Sequence, residues 1–386
     1  MSRSSMDDSL GGYDSDELVD LPPRRTARDR LDSIQQRKIG QRGSELMQYI
    51  DDLYAAGAKL WTKDMFLEIE EELAKAPQPA SVKIRSMNGN SINRSVPFPP
   101  RNRSLHDSKE WTHTIGFEIY QYMRFNAGDL EDDCEEDLKA VQAKYTCAVN
   151  LFYTDIISST VEYPELKAAW DESQRNWTQS AACDQLADAL RKDINIPKTI
   201  KRMVCFALGD LERAWEYDTI PAADGLPLRR SMTQHAAALT LATLFGELIG
   251  TEPLPVLVQD PAYTPESKQV LTEVGFEVVG GLGALGFTHV DDDTVVMSCS
   301  PDVPVKQVVA DIARPAVLIW NKVRPLSEES SEWTISNGRG EDSLCVPWTT
   351  DQDSPRTREL VEGYDMHEFP PSNQRFGDIV IYVRKD

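Results

Sequence analysis

The chain lacks the features that would send it to a membrane, through the secretory path or onto nucleic acid. No apolar run approaches the roughly 20 residues that cross a bilayer, so no membrane segment is expected. The serine- and acid-rich start, Met1 to Asp20, has no signal-peptide core, and the sequons at Asn93, Asn102 and Asn176 are then chance matches. Basic residues are outnumbered: 41 lysines and arginines stand against 63 aspartates and glutamates, a formal net charge of −22. Sequence-independent grip on phosphate backbones comes mainly from lysine and arginine displacing counterions. Nucleic acid is therefore a poor default partner, and protein partners are favoured. Cysteine is also scarce. Cys134, Cys147, Cys183, Cys205, Cys299 and Cys345 form no Cys-x-x-Cys pair and no zinc-like set with the five histidines. Reduced structural thiols suit a cytoplasmic or nuclear protein, and no metal site is expected.

What is present divides the chain. Residues 1–43 lack periodicity and change from acidic to basic at Arg24, Arg25, Arg28, Arg30, Arg37, Lys38 and Arg42. They read as a disordered tail, either an import signal or docking arm, or plain solvated chain. Helical stripes at Leu46, Ile50, Leu53 and Tyr54, then at Phe66, Ile69 and Leu73 after a possible Thr62 cap, predict a helical hairpin over 44–76. The proline-, serine- and asparagine-rich stretch 77–110 reads as a linker or surface loop. Beyond it, 111–386 reads as one α/β domain. Its aromatic run from Trp111 to Asn126 fits strand or helix. The acids from Asp129 to Asp137 lack the spacing of a calcium loop and suit a helix start, with Leu138, Val141, Tyr145, Val149 and Leu151 continuing a helical stripe. Another amphipathic helix, Cys183 to Ile194, carries Leu186 and Leu190. Ser327 to Asn373 looks like a polar insertion, able to serve as a lid, before a last strand over Asp378–Val383.

The core, residues 200–323, alternates strands and helices, with polar residues just past the strand ends, where doubly wound sheets place ligands. Met203–Leu208 is an uncharged strand closed by Gly209 and Asp210. With Ala207 two residues before the lone Gly209, the three-glycine dinucleotide fingerprint is absent. Ser231 and Gln234 have capping-box spacing at the head of an apolar helix, whose first turn holds His235 as catalytic base or bonded structural group. Val256–Gln259 ends in Asp260, placed to accept from ribose hydroxyls or to cap the turn before Thr264 and Pro265. Tyr263 stacks on a ring or covers the core edge. Gly280 to Gly286 resembles a phosphate cradle in composition, with no helix expected after it. Thr294–Met297 exits through Ser298 and Cys299, a nucleophile or an inert thiol. A fifth strand, Ala316–Trp320, ends at Asn321.

At Cys205-Phe206-Ala207-Leu208-Gly209-Asp210, Ser231 with Gln234, Gln259-Asp260-Pro261-Ala262-Tyr263-Thr264, Thr294–Met297 and Asn321, the chain resembles the sensitivity-to-red-light-reduced family, the SRR-like domain. Cys299-Ser300-Pro301-Asp302-Val303-Pro304 resembles its fungal members most. The family commonly has glycine at Ala207 and often Pro-His-Cys where this chain has Ser298-Cys299-Ser300-Pro301. The resemblance implies regulation: light signalling and the circadian clock in plants, haem synthesis and clock-gene expression in animals. The expected fold is α/β, a Rossmann-like three-layer core with a mostly parallel sheet behind N-terminal helices. The expected function is non-catalytic regulation through protein partners. The alternative is binding of S-adenosylmethionine or another nucleotide, as a sensor or methyltransferase, around Gly209 and Asp260.

Overall fold

The computed structural model describes residues 26–75, 79–98, 110–192, 194–212, 229–336, 342–370 and 373–385. Three helices come first: α1 (Ala27–Gln35), α2 (Gln41–Ala55) and α3 (Lys63–Leu73). α1 corrects the expectation of a structureless segment up to residue 43. Thr26 and Asp29 form a reciprocal capping box that starts it. Residues 1–25, with Arg24 and Arg25, lie outside the described residues. α2 and α3 follow the periodicity and bury Leu46, Ile50, Phe66, Ile69 and Leu73, and Thr62 caps α3.

The expected linker is also corrected. It contains β1 (Ser81–Arg85) and β2 (Ser91–Ser95), paired antiparallel, with only Val82 and Ile84 of β1 buried. Such sparse alternation is easily read as loop. The aromatic run becomes β3 (Trp111–Phe117) followed by α4 (Tyr120–Ala127). Asp137 accepts from the Lys139 and Ala140 amides and caps α5 (Leu138–Tyr145). The helical stripe expected to continue through Leu151 stops at Tyr145. Val149 and Leu151 lie instead in β4 (Val149–Asp155), antiparallel to β3, in a run whose valine, phenylalanine, tyrosine and threonine favour strand.

Two helices, α6 (Tyr163–Thr178) and α7 (Ala181–Lys192), lead into the core. There follow β5 (Arg202–Phe206), α8 (Arg230–Ile249), β6 (Val256–Gln259), α9 (Pro265–Glu273), β7 (Phe276–Val278), α10 (Leu285–Thr288), β8 (Thr294–Ser298), α11 (Val305–Ile312) and β9 (Val317–Asn321). After a turn at Leu326–Glu328 come β10 (Thr334–Ser336), β11 (Ser343–Cys345), α12 (Pro355–Glu362), β12 (Tyr364–Glu368), α13 (Asn373–Phe376) and β13 (Ile379–Arg384). Seven strands make one sheet in the order β12-β13-β9-β8-β5-β6-β7. β5 to β9 are mutually parallel, and β13 and β12 extend the sheet by antiparallel pairing. This is the expected α/β class.

Each central strand buries both faces, hence its unbroken apolar sequence. Val204, Phe206, Val296, Leu318 and Trp320 join an apolar cluster with Leu46, Trp61, Phe66 and Ile115 of the N-terminal part. Met203, Cys205, Val295, Met297 and Ile319 join another with Leu166, Leu186, Ala237 and Leu271. The sheet is thus the middle of three layers. The stretch expected as a polar insertion supplies an edge strand, β12, and a tethered helix, α12. Arg356 of α12 is buried. Its guanidinium donates to Asp311 and to the carbonyls of Tyr54 and Ala58, each at 2.6 Å, and lies 3.7 Å above the Tyr54 ring.

Candidate functional site

The chain leaves β5 for β6 on one side and reaches β8 on the other, so the topological switch lies at the carboxyl end of β5. Gly209, Asp210, Asp260, Ser298, Cys299 and Asn321 all fall at this edge, together with Ser231, Gln234 and His235 in the first turns of α8. Residues 213–228, between Glu212 and α8, lie outside the described residues.

Four of these positions, with Tyr263, close a ring of hydrogen bonds. The Gly209 amide donates to Asp260 Oδ2 at 2.9 Å, and Ser231 Oγ donates to the Gly209 carbonyl at 2.5 Å. His235 Nδ1 lies 2.8 Å from the Ser231 carbonyl, and its Nε2 lies 2.8 Å from the Tyr263 hydroxyl. The Tyr263 amide returns to the Asp260 carbonyl at 3.2 Å. A carbonyl can only accept, so Nδ1 carries the proton and Nε2 accepts from Tyr263. His235 is fully buried, and burial pulls its pKa down to about 4, which holds the ring neutral. Burial likewise keeps the Tyr263 phenol protonated. Asp260 Oδ1 accepts from the Ala262 amide at 2.9 Å, which caps the turn after β6.

The capping box expected at Ser231 and Gln234 does not form. α8 starts from Arg229 without a side-chain cap, because Ser231 is drawn to Gly209 and Gln234 donates to the Arg375 carbonyl at 2.6 Å. Asp210 accepts from the Glu212 and Thr264 amides at 2.8 and 2.9 Å. Glu212, which sequence reasoning passed over, accepts from Thr264 and from the amide and hydroxyl of Thr160. Burial pushes its pKa up, yet these bonds outweigh it and hold the carboxyl low. Its one sequence signal is nearness to Asp210 at the end of an apolar strand.

On the other side of the switch, the Ser300 amide donates to Asn321 Oδ1 at 2.8 Å and ties the β8 exit to the end of β9. Cys299 is buried, and burial pushes its thiol up to about 12, far from the thiolate a nucleophile needs. Ser298 Oγ is buried and has no partner among the described residues. Three non-glycine residues here have left-handed backbones: Ala207 at φ +52, Arg229 at +31 and Ser300 at +52. Ala207 is the position where the resembled family commonly has glycine, for which such a φ is cheap.

The glycine-rich loop is followed by a helical turn, α10, contrary to expectation. Gln259 holds the loop, donating to the Gly283 carbonyl at 2.7 Å and accepting from the Gly286 amide. The Leu282 and Ala284 amides turn to Glu70, another residue the sequence did not single out. Among the described residues no group of three histidines, cysteines or acids could hold a metal ion, and no helix is long and apolar enough to cross a membrane.

A three-layer, mostly parallel sheet with a polar edge at its switch point defines a Rossmann-like α/β protein. Residues 174–383 match the SRR1 domain model, and the chain belongs to that family. No curated protein and no solved structure matches the chain.

Proposed function

We propose that the chain is a regulatory, non-catalytic protein that works through protein partners in the cytoplasm or nucleus, in signalling or in circadian or haem-linked control. The ring through Asp260, Gly209, Ser231, His235 and Tyr263 carries the reading, because these five residues are bonded to one another. An enclosed, weakly basic imidazole with both nitrogens bonded and a protonated thiol are poorly suited to base or nucleophile work at neutral pH. Native mass spectrometry of gently purified protein, followed by calorimetry with S-adenosylmethionine, NAD and ATP, tests it. The expected result is no co-purified ligand and no binding tighter than about millimolar, ~4 kcal/mol. A small molecule that binds the wild type and is lost in Asp260→Ala would overturn the reading.

That outcome would favour a second one, a sensor or methyltransferase holding S-adenosylmethionine or a related nucleotide with Gly209 and Asp260. It draws support from the strained backbones of Ala207, Arg229 and Ser300, all gathered at the switch point, since strain of this kind clusters at ligand sites.

A further inference from the structure

Glu70 lies outside the family segment, on α3, yet its carboxylate enters the glycine-rich loop of the core. It accepts from the Leu282 amide at 2.7 and 3.0 Å and from the Ala284 amide at 3.0 Å. Gly281 at φ +86 and Gly283 at φ +110 are left-handed, the alternation that gathers amides into an anion-binding concavity. A Cβ on Gly281 would stand 2.6 Å from Leu285 Cδ1 and 2.8 Å from Glu70 Oε2, so glycine leaves room for both side chains. Glu70 is only 7 % exposed, and burial raises its pKa while the loop amides oppose that rise. The loop keeps its shape through other contacts: Gln259 from the core side, and the Ile115 amide and Thr114 hydroxyl on the Leu282 carbonyl at 2.9 and 3.3 Å. The loop thus has supports besides Glu70, whose carboxylate occupies its concavity.

We propose that the glycine-rich loop is an oxyanion-binding nest whose resting occupant is the chain's own Glu70, so that α3 is latched to the core by a group a free oxyanion can replace. The inference does not depend on the regulatory reading. As a tethered ligand, Glu70 outcompetes dilute anions through its high effective concentration. Phe66, on the same helix, packs on Phe287 with ring centres 5.7 Å apart, a contact that is expected to keep α3 docked when the carboxylate is removed.

Full-length wild type, Glu70→Ala and Glu70→Gln are compared by thermal unfolding and amide hydrogen exchange in chloride, formate and inorganic phosphate at equal ionic strength. In chloride, Glu70→Ala is expected to unfold several degrees below wild type, with fast exchange at Leu282 and Ala284. Formate or phosphate should recover much of the loss and slow that exchange, while the wild type shows only the general salt effect. Rescue by phosphate alone marks a tetrahedral oxyanion as the natural ligand class, and rescue by formate marks a carboxylate. If Glu70→Ala shifts no more than wild type in any salt, the proposal fails. Should Glu70→Ala not fold, Glu70→Gln decides: anion-dependent slowing at Leu282 supports the nest, and equal exchange in all three salts refutes it.

Discussion

His235 shows how one buried side chain sets a pH limit on the fold. Its pKa is about 4 in the folded protein and near 6.5 when unfolded. The unfolded chain thus gains this proton first as pH falls. The stabilisation is complete above pH 6.5 and is lost as pH drops towards 4. Against His235→Gln, which cannot titrate, the wild type should lose of the order of 3 kcal/mol over that window by urea unfolding. A constant gap between the two proteins from pH 7 to 4 would refute this. Positions such as Gly209 and Asp260 could be read from sequence because strand ends announce themselves through glycine, acid and proline. Their bonding could not, since the partners of Ser231 and Tyr263 are set by how α8 lies across the sheet. Glu70 was overlooked for another reason: it lies on the apolar stripe, four residues after Phe66 and three before Leu73, but in a run with Glu68, Glu71 and Glu72 it passes for one more solvated acid.

At the scale of elements, legibility followed burial. β5, β6 and β8, covered on both faces, have uninterrupted apolar sequences that stand out unaided. β1, β2 and β12 are half exposed and mix charged or polar residues with a few apolar ones, so they passed for loop. The 327–373 region was misjudged in the same way, because α12 puts a charged residue, Arg356, into the interior beside the apolar Leu360. Removing one partner of a buried ion pair strands the other, at a cost of about 3–5 kcal/mol. Arg356→Ala should therefore lower stability by about that amount in urea unfolding, through the loss of Asp311's cationic partner, which leaves it only the Leu60 and Trp61 amides, and of the bonds to α2 and its following turn. A loss under about 1 kcal/mol, the worth of an exposed pair, would show that Arg356 is not a structural tether.

For the whole molecule, the N-terminal layer and the family segment share one apolar cluster. Leu46, Trp61, Phe66 and Ile115 cover the sheet face formed by Val204, Phe206, Leu318 and Trp320. Residues 174–383 produced alone would expose that face to water. Such a fragment should aggregate, or bind a hydrophobic dye strongly, and lack a single cooperative melt. A monomeric fragment melting as sharply as the full chain would refute this. The line that family resemblance draws through the chain is thus different from the line drawn by the folding reaction. A lesion that strips the apolar face of α2 or α3, though it spares every family residue, would be felt as loss of the entire protein.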